Sequence, residues 1–475
     1  MTAVKSKTDN MQGNRRVLAW LVAIAFFMQM LDGTILNTAL PAIARSLGAN
    51  PLRMQSVVIS YMLTVAFLIP VSGWLADFFG TKKVFISAIF IFTLGSLACA
   101  MSQTLWQLVL ARVFQGVGGA LMVPVGRLAV MRVFPKAEMI SALSFITIPG
   151  LVGPLVGPIL GGVIVYYINW HWIFLINLPI GVVCALLTRY FMPKVKPMKM
   201  AFDWPGYFFF SAAVILMSLS LASAEGVNIS ARTTALMFLA GAFFMLAYAR
   251  FSFTRPWRAL FKPRLFYERS FAVGIIANIF LRFAAGALPF LGPLMLQVGL
   301  GFSALKAGLM MIPMGITSIW AKTLIEGQLN RFGYKKFMIF NTMIIGMLIS
   351  CYSLINVGTS VIFILTLFGV LGVFNSMQFT ALNTLTLIAV PQRDLSQANS
   401  LLSAVMQLSI SLGVGVAGAV LAFFNAHNYY AQGSDKLMYA FHATYLFVGI
   451  FTILAASLFL TPFARNIVDK PSQLQ

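Results

Sequence analysis

Arg112-Val113-Phe114-Gln115-Gly116-Val117-Gly118-Gly119-Ala120 lies inside an apolar run that extends from Leu105 to Met131. That run is longer than the ~20 residues an α-helix needs to cross the hydrocarbon core of a bilayer. Arg112 has no acid beside it in sequence, and a guanidinium keeps its charge at any cellular pH. At mid-membrane depth such a charge costs about 2.5–3.5 kcal/mol on insertion scales. A chain tolerates the cost where the side chain faces a polar interior and has a partner there. The candidate partner is Asp32, also inside an apolar run and the one carboxylate that reads as deep in the membrane. The stretch thus decides two things together: the chain crosses a membrane as helices, and those helices enclose a charged interior.

Working outward, the 475-residue chain is 60% hydrophobic and 9% charged, against about 25% charged for a soluble domain. Its mean hydropathy is +0.90. A water-soluble fold is excluded. The apolar runs far exceed the ~10 residues of a membrane β-strand and lack its period-2 alternation. The class is therefore an all-α polytopic membrane protein. A formal charge of +22 would point to nucleic acid on a soluble chain. Here the basic residues fall in short loops between apolar runs, which orients the chain in the bilayer, and no nucleic-acid partner is expected. Cys99, Cys184 and Cys351 stand singly, with neither metal spacing nor a disulfide framework. There is no phosphate-binding Walker loop, so ATP is not the energy source. No Ser/His/Asp set appears either, and the chain is expected to be no enzyme and to use no cofactor and no metal. Lys5, Lys7, Arg15 and Arg16 precede the first run without a small-residue cleavage pattern, which reads as a retained helix rather than a signal peptide.

Fourteen runs are long enough to span: 17–39, 53–76, 84–101, 105–131, 139–166, 171–191, 205–224, 232–251, 270–297, 304–325, 335–355, 359–388, 397–425 and 438–461. Loop charges test the count. Numbered from a cytoplasmic N-terminus, the inward segments collect Lys5, Lys7, Arg15, Arg16, Lys82, Lys83, Arg132, Lys136, Arg189, Lys194, Lys196, Lys199, Arg250, Arg255, Arg258, Lys262, Arg264, Arg269, Arg331, Lys335, Lys336, Arg393, Arg465 and Lys470. The outward segments carry only Arg45, Arg53, Arg232, Lys306 and Lys436. This bias places both termini in the cytoplasm.

The chain also repeats itself. Gly73-Trp74-Leu75-Ala76-Asp77-Phe78-Phe79-Gly80-Thr81-Lys82-Lys83 joins the second and third runs, and Glu326-Gly327-Gln328-Leu329-Asn330-Arg331-Phe332-Gly333-Tyr334-Lys335-Lys336 joins the tenth and eleventh. Aligned on Gly80 and Gly333, the Phe-Gly-x-Lys-Lys cores coincide and Asn330 stands where Asp77 does. Duplicated halves are common among transporter folds, whose binding site lies at mid-membrane between them. Gly80 permits a tight turn, and Lys82 and Lys83 hold the loop at the cytoplasmic surface. Asp77 has two readings: it favours the N-terminal end of a neighbouring helix, or it pairs with a base such as Arg132. Either contact would latch the halves in one state.

These strings, with the Gly-Pro run at 150–162, resemble signature motifs of the major facilitator superfamily. Leu31-Asp32-Gly33-Thr34-Ile35-Leu36-Asn37-Thr38-Ala39-Leu40-Pro41 and Trp170-His171-Trp172-Ile173-Phe174-Leu175-Ile176-Asn177-Leu178-Pro179-Ile180-Gly181 resemble its fourteen-helix drug:proton antiporter branch, the EmrB/QacA type. The resemblance implies a major facilitator fold of two six-helix bundles, 1–199 and 266–475, with two extra linker helices in 200–265. It further implies a multidrug efflux antiporter of a bacterial inner membrane.

The residues themselves support a proton-coupled mechanism. Desolvation and a neighbouring Arg112 act on Asp32 in opposite directions, and a carboxylate balanced between them takes a proton in one conformation and gives it up in another. A fixed ion pair tying two helices is the other reading of Asp32 and Arg112. Gln115 and Asn37 are candidate cavity residues, or else helix–helix hydrogen bonds. Arg282, within Phe280-Leu281-Arg282-Phe283, is a second candidate cavity cation, neutralised by Asp32 or by substrate. Gly150, Gly153, Pro154, Gly157, Pro158, Gly161 and Gly162 recur at spacings of three and four, which puts them on one helical face. That face is either a sliding surface or simple tight packing. The 26 Met and 43 Phe residues suit a lipophilic cavity as well as ordinary helix packing. The expectation is a monomer in a lipid bilayer, exchanging protons for an amphipathic small-molecule substrate. The competing expectations are a proton-coupled transporter of one metabolite and a non-transporting membrane regulator.

Overall fold

A computed structural model describes residues 2–134, 136–193, 202–223, 231–255, 259–391, 394–427 and 433–461. The expected loop residues Lys194, Lys196, Lys199, Arg258, Arg393, Arg465 and Lys470 lie outside them. Every regular element among the described residues is helical. They are α1 Thr2–Ser46, α2 Gln55–Phe79, α3 Thr81–Ala100, α4 Leu105–Val133, α5 Lys136–Tyr167, α6 Trp172–Leu175, α7 Asn177–Phe191, α8 Trp204–Ser223 and α9 Ala231–Thr254. Then follow α10 Arg269–Leu294, α11 Ala304–Met310, α12 Ile312–Cys351, α13 Val361–Leu387, α14 Leu395–His427 and α15 Gly433–Ala455. Among the described residues, 11 helical stretches are long and apolar enough to cross a membrane, and Val156–Tyr167 and Trp204–Met217 are shorter apolar helices.

One of those stretches, Ala304–Leu354, has 51 residues. At a rise of about 1.5 Å per residue it would extend about 75 Å, more than twice a ~30 Å hydrocarbon core. It breaks at Gly333, whose φ of 74° and ψ of 161° are not helical. Gly80 turns the chain between α2 and α3 in the same way, with φ 90°. A Cβ resists such angles, and glycine does not. Among the described residues the positive-φ positions are Gly48, Gly80, Gly301 and Gly333. Gly48 to Gly80 and Gly301 to Gly333 are both 32 residues, so the two pairs are related by an offset of 253. The repeat read from the basic loops is thus repeated in the backbone.

Helix packing follows the duplication. α1 packs on α4, α5 and α7, and α3 on α4 and α7. In the second half α10 packs on α13 and α14, and α12 on α13 and α15. α8 and α9 pair with each other, and α8 also touches α2 and α14. The halves meet through α2 with α14, α5 with α11, and α1 with α10.

The two ends of the bundle differ. At the end marked by Gly48 and Gly301, one hydrophobic core joins both halves, with Ile43, Val57, Leu291, Ala307 and Leu421 among its buried members. At the end marked by Gly80 and Gly333 the cores are separate. Phe85, Val125 and Ala129 belong to a first-half cluster, and Leu329, Tyr334 and Leu385 to a second-half cluster. Among the described residues one continuous core thus clamps the halves together at the Gly48 end, while a separate cluster sets α8 and Leu63 of α2 against α10 and α14.

Candidate functional site

Asp32 on α1 and Arg112 on α4 meet as the sequence leads one to expect. Arg112 Nη1 donates to Asp32 Oδ2 at 2.6 Å, and both residues are at most 1% exposed. The pair is neutral as a unit, which removes much of the penalty that each charge alone would carry in hydrocarbon. It does not stand alone. Arg112 Nη1 also donates to Gln115 Oε1 at 2.6 Å, and Arg112 Nε reaches the Val57 carbonyl of α2 at 3.4 Å. Gln115 Nε2 donates to Asp32 Oδ1 at 2.8 Å and to Ser96 Oγ at 2.8 Å. Asn177 Nδ2 of α7 donates to Asp32 Oδ1 at 3.0 Å and to Ser96 Oγ at 3.2 Å. The Tyr61 ring of α2 lies 4.1 Å from the guanidinium carbon, a cation–π contact.

The carboxylate thus accepts from Arg112, Gln115 and Asn177, and the network links α1, α2, α3, α4 and α7. Such a closed arrangement holds the charge in place. Gln115 belongs to this network, its amide bonded to Arg112, Asp32 and Ser96. Ser96, Asn177 and Tyr61 were not singled out by the charge pattern. Asn177 had a signal, as a polar residue in an apolar run within a quoted motif. Ser96 had none beyond its hydroxyl. Asn37, five residues past Asp32, is buried and its Oδ1 has no hydrogen-bond partner.

Arg282 does not join Asp32. Its Nε donates to Asn278 Oδ1 at 2.7 Å, and its Nη2 to Asn383 Oδ1 at 2.8 Å. Its guanidinium carbon is 4.2 Å from the centre of the Phe379 ring. Neutralisation by Asp32 is therefore corrected: Arg282 is held by α10 and α13 within its own half.

Asp77 pairs with Arg132 as expected, and Arg132 Nη1 also donates to Thr81 Oγ1 at 2.7 Å. All three belong to the first half. The pair consequently ties α2 and α3 to α4 and does not bridge the halves, which corrects the expected latch between them. Gly73 faces open space, Lys83 is exposed and Lys82 is half-buried.

The glycine run of α5 divides. A Cβ on Gly153, Gly157 or Gly161 would meet α1 at Met30, Thr34 or Ile35, with Gly157 only 2.2 Å from Thr34 Oγ1. Contact with the other half falls to its neighbours. A Cβ on Gly162 would lie 2.6 Å from the Ala304 carbonyl oxygen, and one on Gly308 of α11 would lie 2.3 Å from that of Pro158. One face thus locks α5 to α1, and an adjacent one closes α5 on α11 across the halves at the Gly48 end. The side-chain surroundings of Gly150 and Pro154 lie outside the described residues.

Comparison with known proteins agrees with this architecture. The Major Facilitator Superfamily profile matches residues 22–340 and 314–473. Two relatives carry the provisional name multidrug resistance protein MdtD. The one from Yersinia enterocolitica is 46% identical over 447 residues, covering 94% of each chain. The one from Serratia proteamaculans is 45% identical over 440 residues, covering 93% of this chain and 92% of its own. Among solved structures, the POT family transporter PepTSo superposes with a TM-score of 0.69 at 14% identity, over 95% of this chain and 98% of its own, a likeness of fold alone. The duplicated helical halves, the charged interior and these matches together place the chain in the major facilitator superfamily, as a bacterial multi-pass membrane transport protein and not an enzyme.

Proposed function

We propose that the chain is a proton-coupled efflux antiporter that exports amphipathic small molecules by alternating access. The name of the relatives supports efflux. The observation that carries the coupling is the Asp32 carboxylate, buried mid-span and bonded to Arg112, Gln115 and Asn177. In this reading Asp32 carries the proton, Arg112 tunes it, and Asn37 and Arg282 face substrate. Gly73, Asp77, Gly80, Lys82 and Lys83 form the gating loop. Each proton entering down a potential of about 100 mV supplies roughly 2.3 kcal/mol, enough for about fifty-fold accumulation.

The same reading gives fourteen crossings. The eleven spans, the Gly333 break within one of them and the apolar segments in α5 and α8 support that number. It divides the chain into bundles at 1–199 and 266–475 with linker helices in 200–265, and makes it a monomer of the inner membrane. The loop charges put the Gly80 end and both termini in the cytoplasm. The clamped Gly48 end is then the outer one, and the conformation described is closed to the outside.

A specific-metabolite transporter is favoured by one observation, the buried Arg282 cation. The main test uses proteoliposomes loaded with a pH-sensitive dye and a panel of amphipathic dyes of both charges. Wild type is expected to move protons when substrate is added. Asp32→Asn is expected to insert and fold but to move none, and undiminished proton flux in that variant would refute the assignment.

A further inference from the structure

We infer that the exported solute carries an anionic group, a carboxylate or phosphate, and that Arg282 binds it in the second half. This rests on the reading of the chain as a proton-coupled exporter. Arg282 is 4% exposed. It lies 13 residues into α10, about 20 Å along the helix axis from its start. That depth is beyond a lipid headgroup, and burial among α10 and α13 stops the side chain from snorkelling to the surface.

Among the described residues no acid balances it. Of the four ion pairs among the described residues, one joins Asp32 to Arg112, one Asp77 to Arg132, and two Asp394 to Lys262 and Arg264. Asp203 accepts from the backbone N–H groups of Gly206 and Leu260. Glu268 precedes the first residue of α10, and Glu326 is exposed. The remaining acids of the sequence, Asp9, Glu138, Glu225, Asp435 and Asp469, fall outside its apolar runs. Asn278 and Asn383 orient the guanidinium through neutral amide oxygens, and among the described residues Nη1 has no hydrogen-bond partner. A buried guanidinium with an unused N–H edge is the donor set that recognises a carboxylate or phosphate in the plane of its fork.

The duplication sharpens the point. The offset of 253 that relates Gly48 to Gly301 and Gly80 to Gly333 puts Arg282 on the counterpart of Gln29, and Ala285 on the counterpart of Asp32. At this depth the first half therefore holds an acid with its base, and among the described residues the second holds Arg282 without one. An anionic solute completes the second half as Asp32 completes the first. Phe379, stacked on the guanidinium and 44% exposed, supplies an aromatic wall for the apolar body of such a solute. Export of an anion and entry of a proton both move positive charge inward, so an inside-negative potential accelerates the exchange.

The test uses three probes of one shape: 1-naphthoate, 1-naphthamide and 1-naphthylmethylammonium. Their binding to the purified full-length protein is titrated for wild type, Arg282→Gln and Arg282→Lys. Wild type is expected to bind naphthoate at least about tenfold more tightly than naphthamide, and the ammonium probe more weakly still. Arg282→Gln is expected to lose that preference. Arg282→Lys is expected to keep part of it, since an ammonium offers charge without the planar fork. Should Arg282→Gln fail to fold, the lysine variant decides, because its preference must fall yet stay above one. Absence of saturable naphthoate binding, tighter binding of the ammonium probe, or an unchanged preference in either variant overturns the inference. Proton movement is read separately with an internal pH dye. Anion-selective binding without proton movement removes the coupling reading and leaves this inference intact. Proton-coupled transport of the ammonium probe without competition by naphthoate does the reverse.

Discussion

Gly308→Ala is a small perturbation aimed at the contact that closes the Gly48 end, the outer one in the proposed reading. The added Cβ would lie 2.3 Å from the Pro158 carbonyl oxygen, a backbone atom that no side-chain rotation can move. Overpacking of this kind costs about 1–3 kcal/mol. The cost falls on the state in which α11 presses on α5 and vanishes where they separate. The closed-to-open ratio should therefore drop about five- to hundred-fold. Ala304→Cys is a suitable reporter, since Ala304 is buried at this contact. A membrane-impermeant maleimide added to cells expressing Cys351→Ser/Ala304→Cys should label faster by a similar factor once Gly308→Ala is included. Gly33→Ala is the control, because a Cβ there meets nothing within 4 Å, and it should leave labelling unchanged. A labelling rate within twofold of the parent, in a protein that remains folded, would show that the α5–α11 contact does not hold the outer end shut.

Three further outcomes follow from the same geometry. Gln115→Leu removes a donor from Asp32 and Ser96 and an acceptor from Arg112, so stability should fall by about 1–3 kcal/mol; an unchanged thermal midpoint would contradict the network. Asp77→Asn breaks an ion pair whose side chains are 21% and 22% exposed, so the stability loss should stay below about 1 kcal/mol while transport slows; a large drop in thermal midpoint would mean the pair is structural instead. Asp394 sits where Arg264, above all through its hydrogen bond, and then Lys262 hold the carboxyl below the usual carboxylate range. A depressed folded value means that its stabilisation is present above the unfolded pKa of about 3.9 and is lost only as pH falls through the lower folded value. Asp394→Asn should therefore lower the thermal midpoint equally at pH 8 and pH 5, with the difference from wild type closing only in stronger acid; a difference that closes between pH 7 and 6 would contradict the assignment.

Much of this was legible in the residues for physical reasons. Hydrocarbon forces every backbone group into internal hydrogen bonds, so apolar length alone located the helices. Asp32 and Arg112 were predictable partners because neither charge is tolerated alone at that depth. Gly80 and Gly333 announced the repeat because a turn that tight excludes a Cβ. The misses have one cause: spacing tells which residues share a face, and not what the face meets. The α5 glycines did share a face, yet it closes on α1, while the neighbouring Gly162 and Pro158 meet the other half. Asp77 found the expected Arg132, but the helices involved all belong to the first half. Ser96 was hidden, and the signal of Asn177 was weak, because single neutral polar groups are common in apolar runs and carry no charge to demand a partner.

The central claim is that Asp32 changes protonation state as the bundle alternates, and infrared difference spectroscopy reads this directly. Spectra of the form closed at the Gly48 end, and of a form biased open there by Gly308→Ala, would be compared with those of Asp32→Asn. A protonated-carboxyl C=O band present in one form, absent in the other and missing in Asp32→Asn is the predicted result. A carboxylate signature for Asp32 that is identical in both forms would contradict it.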